Sequence, residues 1–263
     1  MPMKQKPYIG VTGVTTKEEV KSAVEAFAEA GFSMASSHIP SLGYLVSYKT
    51  LNAMPHDNRR YPLFIDLPIL LNAAGNNVQT MIHYNSREMD TLADQVSKIF
   101  QGIYDQGLCK AMQLNIVWPD DNQVEKIRKR FPDMKIVLQL SDRAMYDKSI
   151  ETICSKVTLY KGLADYVLID PSGGRSKEFL MSNSLEIYYG LIEYGFTIGF
   201  AGGFTGGNVK EKLKMLKEMI GTNEFSIDAE GGLRDKRISD KYGDDDFNIE
   251  KVKKYLKEAS IIL

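Results

Sequence analysis

The chain has 263 residues, of which 43% are hydrophobic and 25% are charged, so it is long enough to bury a sizeable core within one domain. Lysine and arginine total 33 against 34 aspartate and glutamate residues, which gives a formal net charge of -1. A balance this even provides no broad field for nucleic acid or for an anionic membrane surface, and we expect neither as a partner.

The amino-terminal residues and the cysteines suggest an ordinary reducing compartment. Residues 1–7 contain two lysines and no apolar run, a pattern that predicts neither a signal peptide nor a membrane anchor. We therefore expect a cytoplasmic protein. Cys109 and Cys154 are the two cysteines, and their spacing favours reduced thiols over a disulfide or a zinc site.

Short apolar segments alternate with longer amphipathic ones, which is typical of repeated βα units around a parallel sheet. In chain order, strands are predicted at residues 8–14, 33–37, 78–83, 111–117, 135–140, 166–170, 197–201 and 225–229. Helices are predicted at residues 17–30, 88–104, 120–130, 148–161, 179–194, 209–220 and 249–259.

The second unit is elaborated at about residues 38–77, far beyond the length of an ordinary βα connection. Pro55, Pro62 and Pro68 interrupt any single helix there. Residues 45–51 and 69–74 are predicted to form short helices. An extra strand at residues 63–67 is the alternative that the sequence leaves open. A lid over the active-site mouth and an oligomer contact are the two functional interpretations of this segment.

Strict alternation of strands and helices favours closure into a parallel, eight-stranded (β/α)8 TIM barrel. An open doubly wound sheet usually has only about five or six strands. We predict a single barrel domain over residues 1–263.

In such a barrel the C-terminal ends of the strands surround the active site. Polar residues at the predicted strand ends are therefore the site candidates. They are Thr12, His38, His83, Asn115, Gln139, Ser141, Asp170, Asp228 and Glu230.

Two glycine pairs follow the seventh and eighth strands, Gly202 with Gly203 and Gly231 with Gly232. Tight turns there would let backbone N–H groups and a helix N-terminus approach a phosphate. The alternative is that the glycines only shape a turn. Glu230 counts against a phosphate site, because a carboxylate that points into it would repel the ligand.

Three other groups offer chemistry. Asp170 closes the sixth strand, where partial burial would suit a general acid, although it could instead cap the next turn. His83 and His38 could each act as a base, as a metal ligand or as a structural hydrogen-bond donor. The acidic run at residues 244–246 precedes the last helix, and we interpret it as helix capping.

Several segments share a likeness to one family. Residues 200–205 read FAGGFT, with Asn208 and Val209 after them, and residues 227–232 read IDAEGG. Residues 167–170 read VLID, followed by Gly173 and Gly174, and residues 9–15 read IGVTGVT. These segments resemble phosphoribosylanthranilate isomerase, a barrel enzyme of tryptophan biosynthesis that performs an Amadori rearrangement on a ribose phosphate.

The resemblance implies roles for particular residues. The glycine segments would hold the substrate phosphate, and Asp170 would be the general acid that protonates the ribose ring oxygen. Thr12 stands where the family has a catalytic cysteine, the base that removes the C2′ proton, and its hydroxyl does not ionise usefully near neutral pH. The family's arginine after strand two has no evident equivalent in residues 36–40, and Arg234 and Glu230 also depart from the pattern.

Three hypotheses follow. The first is a sugar-phosphate isomerase of the phosphoribosylanthranilate isomerase kind, which catalyses an Amadori-type aldose-to-ketose rearrangement. Its acid would be Asp170 and its relocated base His83 or Asp228, and the sequence leaves open whether its substrate is the family's or a different one. The second is a barrel that binds a phosphorylated metabolite without turnover. The third is a metal-dependent pentose-phosphate epimerase that uses His38, His83 and a carboxylate at a strand end as ligands.

The expected ligand under the first two hypotheses is a small phosphorylated sugar. We predict no bound cofactor and no metal, and the sequence leaves a homodimer open.

Overall fold

The computed structural model describes residues 5–172, 181–237, 239 and 241–263, without the side chains of residues 181 and 182. Gly173, Gly174 and the predicted start of a helix at Phe179 lie outside the described residues.

The strands β1 to β8 close into a barrel in chain order. They are β1 Tyr8–Thr12, β2 Ile39–Ser47, β3 Gln79–Asn85, β4 Ala111–Leu114, β5 Lys135–Ser141, β6 Tyr166–Asp170, β7 Thr197–Ala201 and β8 Ser226–Ala229. Neighbours pair in parallel, and the closing seam between β1 and β8 places Gly10 opposite Asp228. The predicted (β/α)8 TIM barrel is confirmed.

Helices connect the strands on the outside of the barrel. They are α1 Lys17–Glu29, α2 Tyr48–Leu51, α3 Leu67–Ala74, α4 Leu92–Phe100, α5 Asp121–Arg130, α6 Asp142–Met145, α7 Ile150–Thr158, α8 Met181–Leu191, α9 Val209–Ile220 and α10 Ile249–Ala259. Local signals fix their ends: α1 begins at a capping box between Thr16 and Glu19, and α9 ends at Gly221, whose φ of 79° suits glycine.

Side chains pack in two layers, because each strand has one face toward the barrel axis and the other toward the helices. The axial layer consists of Tyr8, Ile39, Met81, Ala111, Val137, Tyr166, Leu168 and Ala201. The layer between strands and helices is larger and includes the fully buried Phe27, Phe200 and Phe225. The axial layer fills the barrel below the mouth, so the space within the described part of the barrel lies at the C-terminal ends of the strands.

The position of the second strand was predicted wrongly. Residues 33–37 form a loop, and the strand is Ile39–Ser47. Pro40 and Gly43 conceal it, since both residues are disfavoured inside strands. Gly43 is needed because a Cβ there would lie 2.8 Å from His83 Nε2 and would also overlap Thr12 Oγ1.

The elaborated segment after β2 contains short helices and no extra strand over residues 63–67, where a 3₁₀ turn covers Phe64–Asp66. The helix predicted at residues 69–74 is confirmed as part of α3, whereas residues 45–51 are helical only over Tyr48–Leu51. Residues 52–66, which we call the strap, run across the rim of the mouth to the segment that follows β8.

The segment after β8 contains an antiparallel pair that was not predicted, β9 Arg234–Lys236 with β10 Asp245–Phe247. The acidic run at residues 244–246 is therefore not a helix cap. Asp245 and Asp246 belong to β10, and Asn248 caps α10 by accepting from the backbone N–H of Lys251. None of the described helices could cross a membrane, because each is too short or too polar.

Candidate active site at the barrel mouth

A cavity of about 470 Å³ opens at the C-terminal ends of the strands. Most of the candidates chosen from the sequence line it, namely His83, Asn115, Gln139, Ser141, Asp170, Gly202, Gly203, Asp228, Glu230, Gly231 and Gly232. Thr12 lies directly behind this wall, because its hydroxyl donates to Asp228. The ends of parallel strands thus bring residues from the whole length of the chain into one site.

His38 is the exception. It precedes β2 and therefore lies at the N-terminal end of the barrel, where its Nε2 is 3.0 Å from the carbonyl oxygen of Phe225. The prediction that His38 closes a strand at the mouth is wrong, because it depended on the misplaced second strand. His38 and His83 consequently do not share a site, which removes the ligand pair of the epimerase hypothesis.

Asp228 is buried deep in the mouth with Thr12 as its hydrogen-bond partner. The Thr12 hydroxyl lies 3.0 Å from Oδ1 and 3.2 Å from Oδ2. Gly10 makes room for this carboxyl group, since a Cβ at that position would overlap Asp228 Oδ1. Burial raises the pKa of Asp228 to about 8, and the charges of Glu230 and Asp170 add to the effect. At neutral pH Asp228 is therefore mainly protonated.

His83 lies next to this pair, separated from it only by Gly43. Burial lowers the pKa of His83 to about 3, because the interior disfavours the imidazolium form. The ring is therefore neutral at physiological pH and holds an added proton weakly.

Asp170 at the end of β6 is surrounded by donors. Gln139 Nε2 lies 2.6 Å from Oδ2, and Oδ1 accepts from the backbone N–H and the hydroxyl of Ser172 at 3.0 and 2.8 Å. Both carboxylate oxygens are thus acceptors in this arrangement, which is the pattern that favours an ionised carboxylate.

The two glycine turns meet at the rim of the cavity. A Cβ on Gly232 would overlap the carbonyl oxygen of Phe204, so only glycine allows the turn after β8 to pack this closely against the turn after β7. Gly202 and Gly203 have φ values of 113° and 65°. Asn208 fixes the β7 turn, because its side chain donates to Gly203 O at 2.8 Å and accepts from Thr205 N at 2.9 Å.

The backbone N–H groups of Gly202, Gly203, Gly231 and Gly232 donate to no acceptor in the described part of the chain. They lie on the cavity wall near the N-terminus of α9, a helix of 12 residues. Free amides at a helix N-terminus are the usual components of an anion site.

Glu230 is paired with Arg60 of the strap. Burial raises the pKa of Glu230, and the Arg60 charge opposes that effect. The ion pair occupies the carboxylate, and the hydroxyl of Tyr242 also lies 3.3 Å from its Oε1. The objection that Glu230 would repel a phosphate is weaker in this geometry, because a guanidinium balances its charge.

A buried ion network extends from this pair. Asp245 of β10 accepts from Arg60 Nε at 2.9 Å and from Arg234 Nε at 2.6 Å, and the two arginines lower its pKa against the opposing effect of burial. Arg234 also donates to Gly13 O at 2.8 Å. The network joins the strap and the β9–β10 pair beside the mouth.

Sequence reasoning missed this network and the two tyrosines next to it, Tyr61 and Tyr242, which line the cavity. Arg60 and Asp245 are 185 positions apart in the chain. The long insertion was visible, but no local pattern indicated which of its charges are buried. In the described residues, His, Cys, Asp and Glu side chains form no group of three or more that could hold a metal ion.

The molecule is thus a (β/α)8 barrel with a polar cavity at its C-terminal mouth, and similar solved structures share this architecture. Phosphoribosyl anthranilate isomerase from Thermus thermophilus matches with a TM-score of 0.63 and 13% identity over 97% of this chain and 100% of that one. The enzyme of the same name from Thermotoga maritima matches with a TM-score of 0.61 and 17% identity, over 96% of this chain and 98% of that one.

The α subunit of tryptophan synthase from Legionella pneumophila also matches, with a TM-score of 0.56 and 9% identity over 98% of this chain and 92% of that one. Identities this low show the fold alone. No protein-family model matches the chain, and no curated protein does.

Proposed function

We propose that the protein is a sugar-phosphate isomerase of the phosphoribosylanthranilate isomerase kind that acts on a different substrate. The observation that supports this most is the position of two carboxyl groups, Asp228 and Asp170, in one cavity with the paired glycine turns. An aldose-to-ketose rearrangement needs an anchor for the phosphate and one group each to donate and accept a proton. The cavity contains candidates for all three.

The anchor is the pair of glycine turns. The amides of Gly202, Gly203, Gly231 and Gly232 and the N-terminus of α9 attract the phosphate, with no lysine or arginine needed in the turns. A bound phosphate fixes one end of the sugar, so that the reacting carbons lie deeper in the mouth, near the ends of β6 and β8.

The proton-transfer roles follow from the two environments. Asp228 holds a proton at neutral pH, because its pKa is about 8, so it donates to the sugar oxygen. Asp170 accepts hydrogen bonds at both oxygens, so it removes the proton from the carbon next to the carbonyl group. These assignments reverse the acid role that the resemblance implied for Asp170. His83, with a pKa of about 3, is too weak a base for this step.

Two features argue for a substrate other than phosphoribosylanthranilate. Thr12 replaces the cysteine base, and its hydroxyl is committed to Asp228. Arg60 lies after β2, where the family has an arginine for the anthranilate carboxylate, but its side chain is 4% exposed and is paired with Asp245 and Glu230. It does not line the cavity, so its guanidinium group is not presented to a ligand carboxylate.

The test is solvent exchange at carbon. Phosphorylated aldoses and ketoses, beginning with ribose 5-phosphate and ribulose 5-phosphate, are incubated with the protein in D₂O and followed by NMR. We expect deuterium at the carbon next to the carbonyl group and conversion to the isomer. Asp170→Asn and Asp228→Asn should each lose at least about a hundredfold in rate, the usual effect of removing a general acid or base.

Asp105→Asn is the matched control, because Asp105 is exposed and lies outside the cavity. Full activity in either active-site variant would contradict the proton-transfer roles of Asp170 and Asp228. Binding without any exchange in the wild-type protein would instead support the second candidate, a metabolite-binding barrel, which the missing cysteine favours.

A further inference from the structure

The cavity wall at β3, β4 and β5 lies across the mouth from the glycine turns of β7 and β8, because the strands form a ring in chain order. Arg87 follows β3 and Arg143 belongs to α6, immediately after β5, and both line the cavity. Gln113 of β4 lies between them. The proposed function uses none of these residues.

The two pairs of arginines at the mouth differ in their partners. Arg60 and Arg234 are buried and satisfied by Asp245, and Arg60 also by Glu230. Arg87 and Arg143 are exposed and form neither an ion pair nor a hydrogen bond within the described residues. Two guanidinium groups on the wall of a cavity are well suited to a carboxylate or a phosphate, which guanidinium binds through paired hydrogen bonds.

Gln113 provides an independent indication of a ligand on this wall. Its side chain is 2% exposed, its Nε2 donates to Asn115 Oδ1 at 2.7 Å, and its Oε1 is buried without a hydrogen-bond partner. A buried polar atom left unpaired is costly, so such atoms usually have a partner in the functional state. If the amide were rotated, the unpaired atom would be its nitrogen, and a ligand hydroxyl could pair with either.

We propose that Arg87 and Arg143 form a second anion subsite, so that the substrate is a hydroxylated chain with an anionic group at each end. This inference rests on the proposed function, since the glycine turns hold the first anion. The second anion lies against Arg87 and Arg143, the arginines that follow β3 and β5, and a hydroxyl group between the two ends pairs with Gln113.

The charges on this wall agree with the proposal. Asp142 precedes Arg143 and also lines the cavity, so the three side chains sum to one positive charge. On the opposite side, Glu230 is paired with Arg60, and the raised pKa of Asp228 keeps that group mainly neutral at pH 7. The charged carboxylate that remains there is Asp170, which accepts hydrogen bonds from Gln139 and Ser172. The attraction for a second anion is therefore local to the Arg87–Arg143 wall.

Titration calorimetry with three probes tests the subsite: ribulose 5-phosphate with one anionic end, ribulose 1,5-bisphosphate with two phosphates, and 6-phosphogluconate with a phosphate and a carboxylate. We expect the wild-type protein to bind at least one doubly anionic probe about tenfold more tightly than ribulose 5-phosphate. Which of the two binds better identifies the second group as phosphate or carboxylate.

Arg87→Gln and Arg143→Gln should each lower this ratio about threefold or more, and the double variant should bring it close to one. Affinity for ribulose 5-phosphate should stay unchanged in all of them. Arg130→Gln is the control, because Arg130 ends α5 and lies outside the cavity. Gln113→Leu should weaken all three hydroxylated probes alike.

A ratio that stays the same in both arginine variants, or that changes equally in Arg130→Gln, overturns the second subsite. Failure of the proposed function gives a different result. In that case the wild-type protein gives no deuterium exchange at carbon, or the Gly203→Asp variant binds ribulose 5-phosphate as tightly as the wild-type protein does.

Discussion

Asp228 shows how one side chain can acquire an unusual pKa from the fold alone. Its carboxyl group fills the space left by Gly10, on the strand that closes the barrel, and the Thr12 hydroxyl donates to it. Burial outweighs that hydrogen bond, so its pKa is about 8 instead of near 4.

This pKa has a consequence for stability. The folded protein keeps the Asp228 proton up to about pH 8, whereas the unfolded chain releases it near pH 4, so rising pH in that window favours unfolding. We expect Asp228→Asn to gain stability relative to wild type by about 1.4 kcal/mol per pH unit between pH 5 and pH 7. Urea unfolding at several pH values measures the difference in the free energy of unfolding between the two proteins. The contribution of His83 to the pH dependence is the same in both, because both contain it.

If the free energy of unfolding changed with pH in the same way in both proteins between pH 5 and pH 7, Asp228 would not hold a proton in the folded state over that range. Asp105→Asn should show the same pH dependence as wild type, because Asp105 is exposed.

The pH dependence of activity tests Thr12. If Asp228 is the acid, isomerase activity falls as the pH rises through about 8. Thr12→Val removes the donor that favours the ionised form, so the alkaline limb should move to higher pH, while Thr12→Ser should leave it in place. An unchanged limb in Thr12→Val would mean that another group sets it.

Part of the site could be predicted at the level of residues. Asp170 and Asp228 lie at the C-terminal ends of apolar strands and the glycine pairs follow such strands, and a barrel places these residues at its mouth whatever their distance in sequence. Arg60, Asp245, Tyr61 and Tyr242 could not be found in this way. They come from loops or, for Asp245, from a strand of three residues, and the packing of these segments depends on contacts between distant parts of the chain.

At the level of elements, the turn after β7 is the most sharply testable feature. Gly203→Asp places a carboxylate among the free amides of the proposed phosphate site, and we expect loss of phosphate binding by at least about a hundredfold. The positive φ of 65° adds strain of about 1 kcal/mol to the folded state.

Gly221→Asp is the matched control. Gly221 has a similar φ of 79° at the end of α9, and a Cβ there would meet nothing within 4 Å. It should lose comparable stability and bind ribulose 5-phosphate normally. Equal affinities in both variants, measured by calorimetry, would exclude the turn as the anion site.

The strap and the β9–β10 pair depend on Asp245. Asp245→Asn leaves the buried Arg60 and Arg234 without their shared carboxylate, and we expect a loss of about 3–5 kcal/mol in the free energy of unfolding. Asp246→Asn in the same strand should cost about 1 kcal/mol or less, since Asp246 is 47% exposed. Urea denaturation compares the two, and similar losses would contradict a stabilising role of the buried network.

Elements with regular patterns were predictable almost to the residue. The bounds of β6, β7, α9 and α10 agree with the expected ones, because uninterrupted apolar runs or stripes mark them. β2 was misplaced because the site requires a glycine inside it, and β9 and β10 were missed because strands of three residues leave almost no periodicity. Prediction from local sequence patterns therefore fails where a site requires an unusual residue inside an element, and where an element is too short to show a periodic pattern.

For the whole molecule, the barrel topology could be predicted from the number and order of the elements. The number of subunits could not be predicted from the sequence. Exposed apolar side chains occur on and near the strap, with Leu63 at 65% and Ile65 at 82%. The sequence left a homodimer open, and it stays a prediction that sedimentation velocity can measure.

The seam between β1 and β8 has a consequence for folding during translation. Thr12 and Asp228 are 216 positions apart, so the first of them is translated long before the second exists. A nascent chain that ends at α9 does not yet contain β8, so β1 has no partner strand on that side. The site at the mouth therefore forms only after β8 has been translated and has paired with β1.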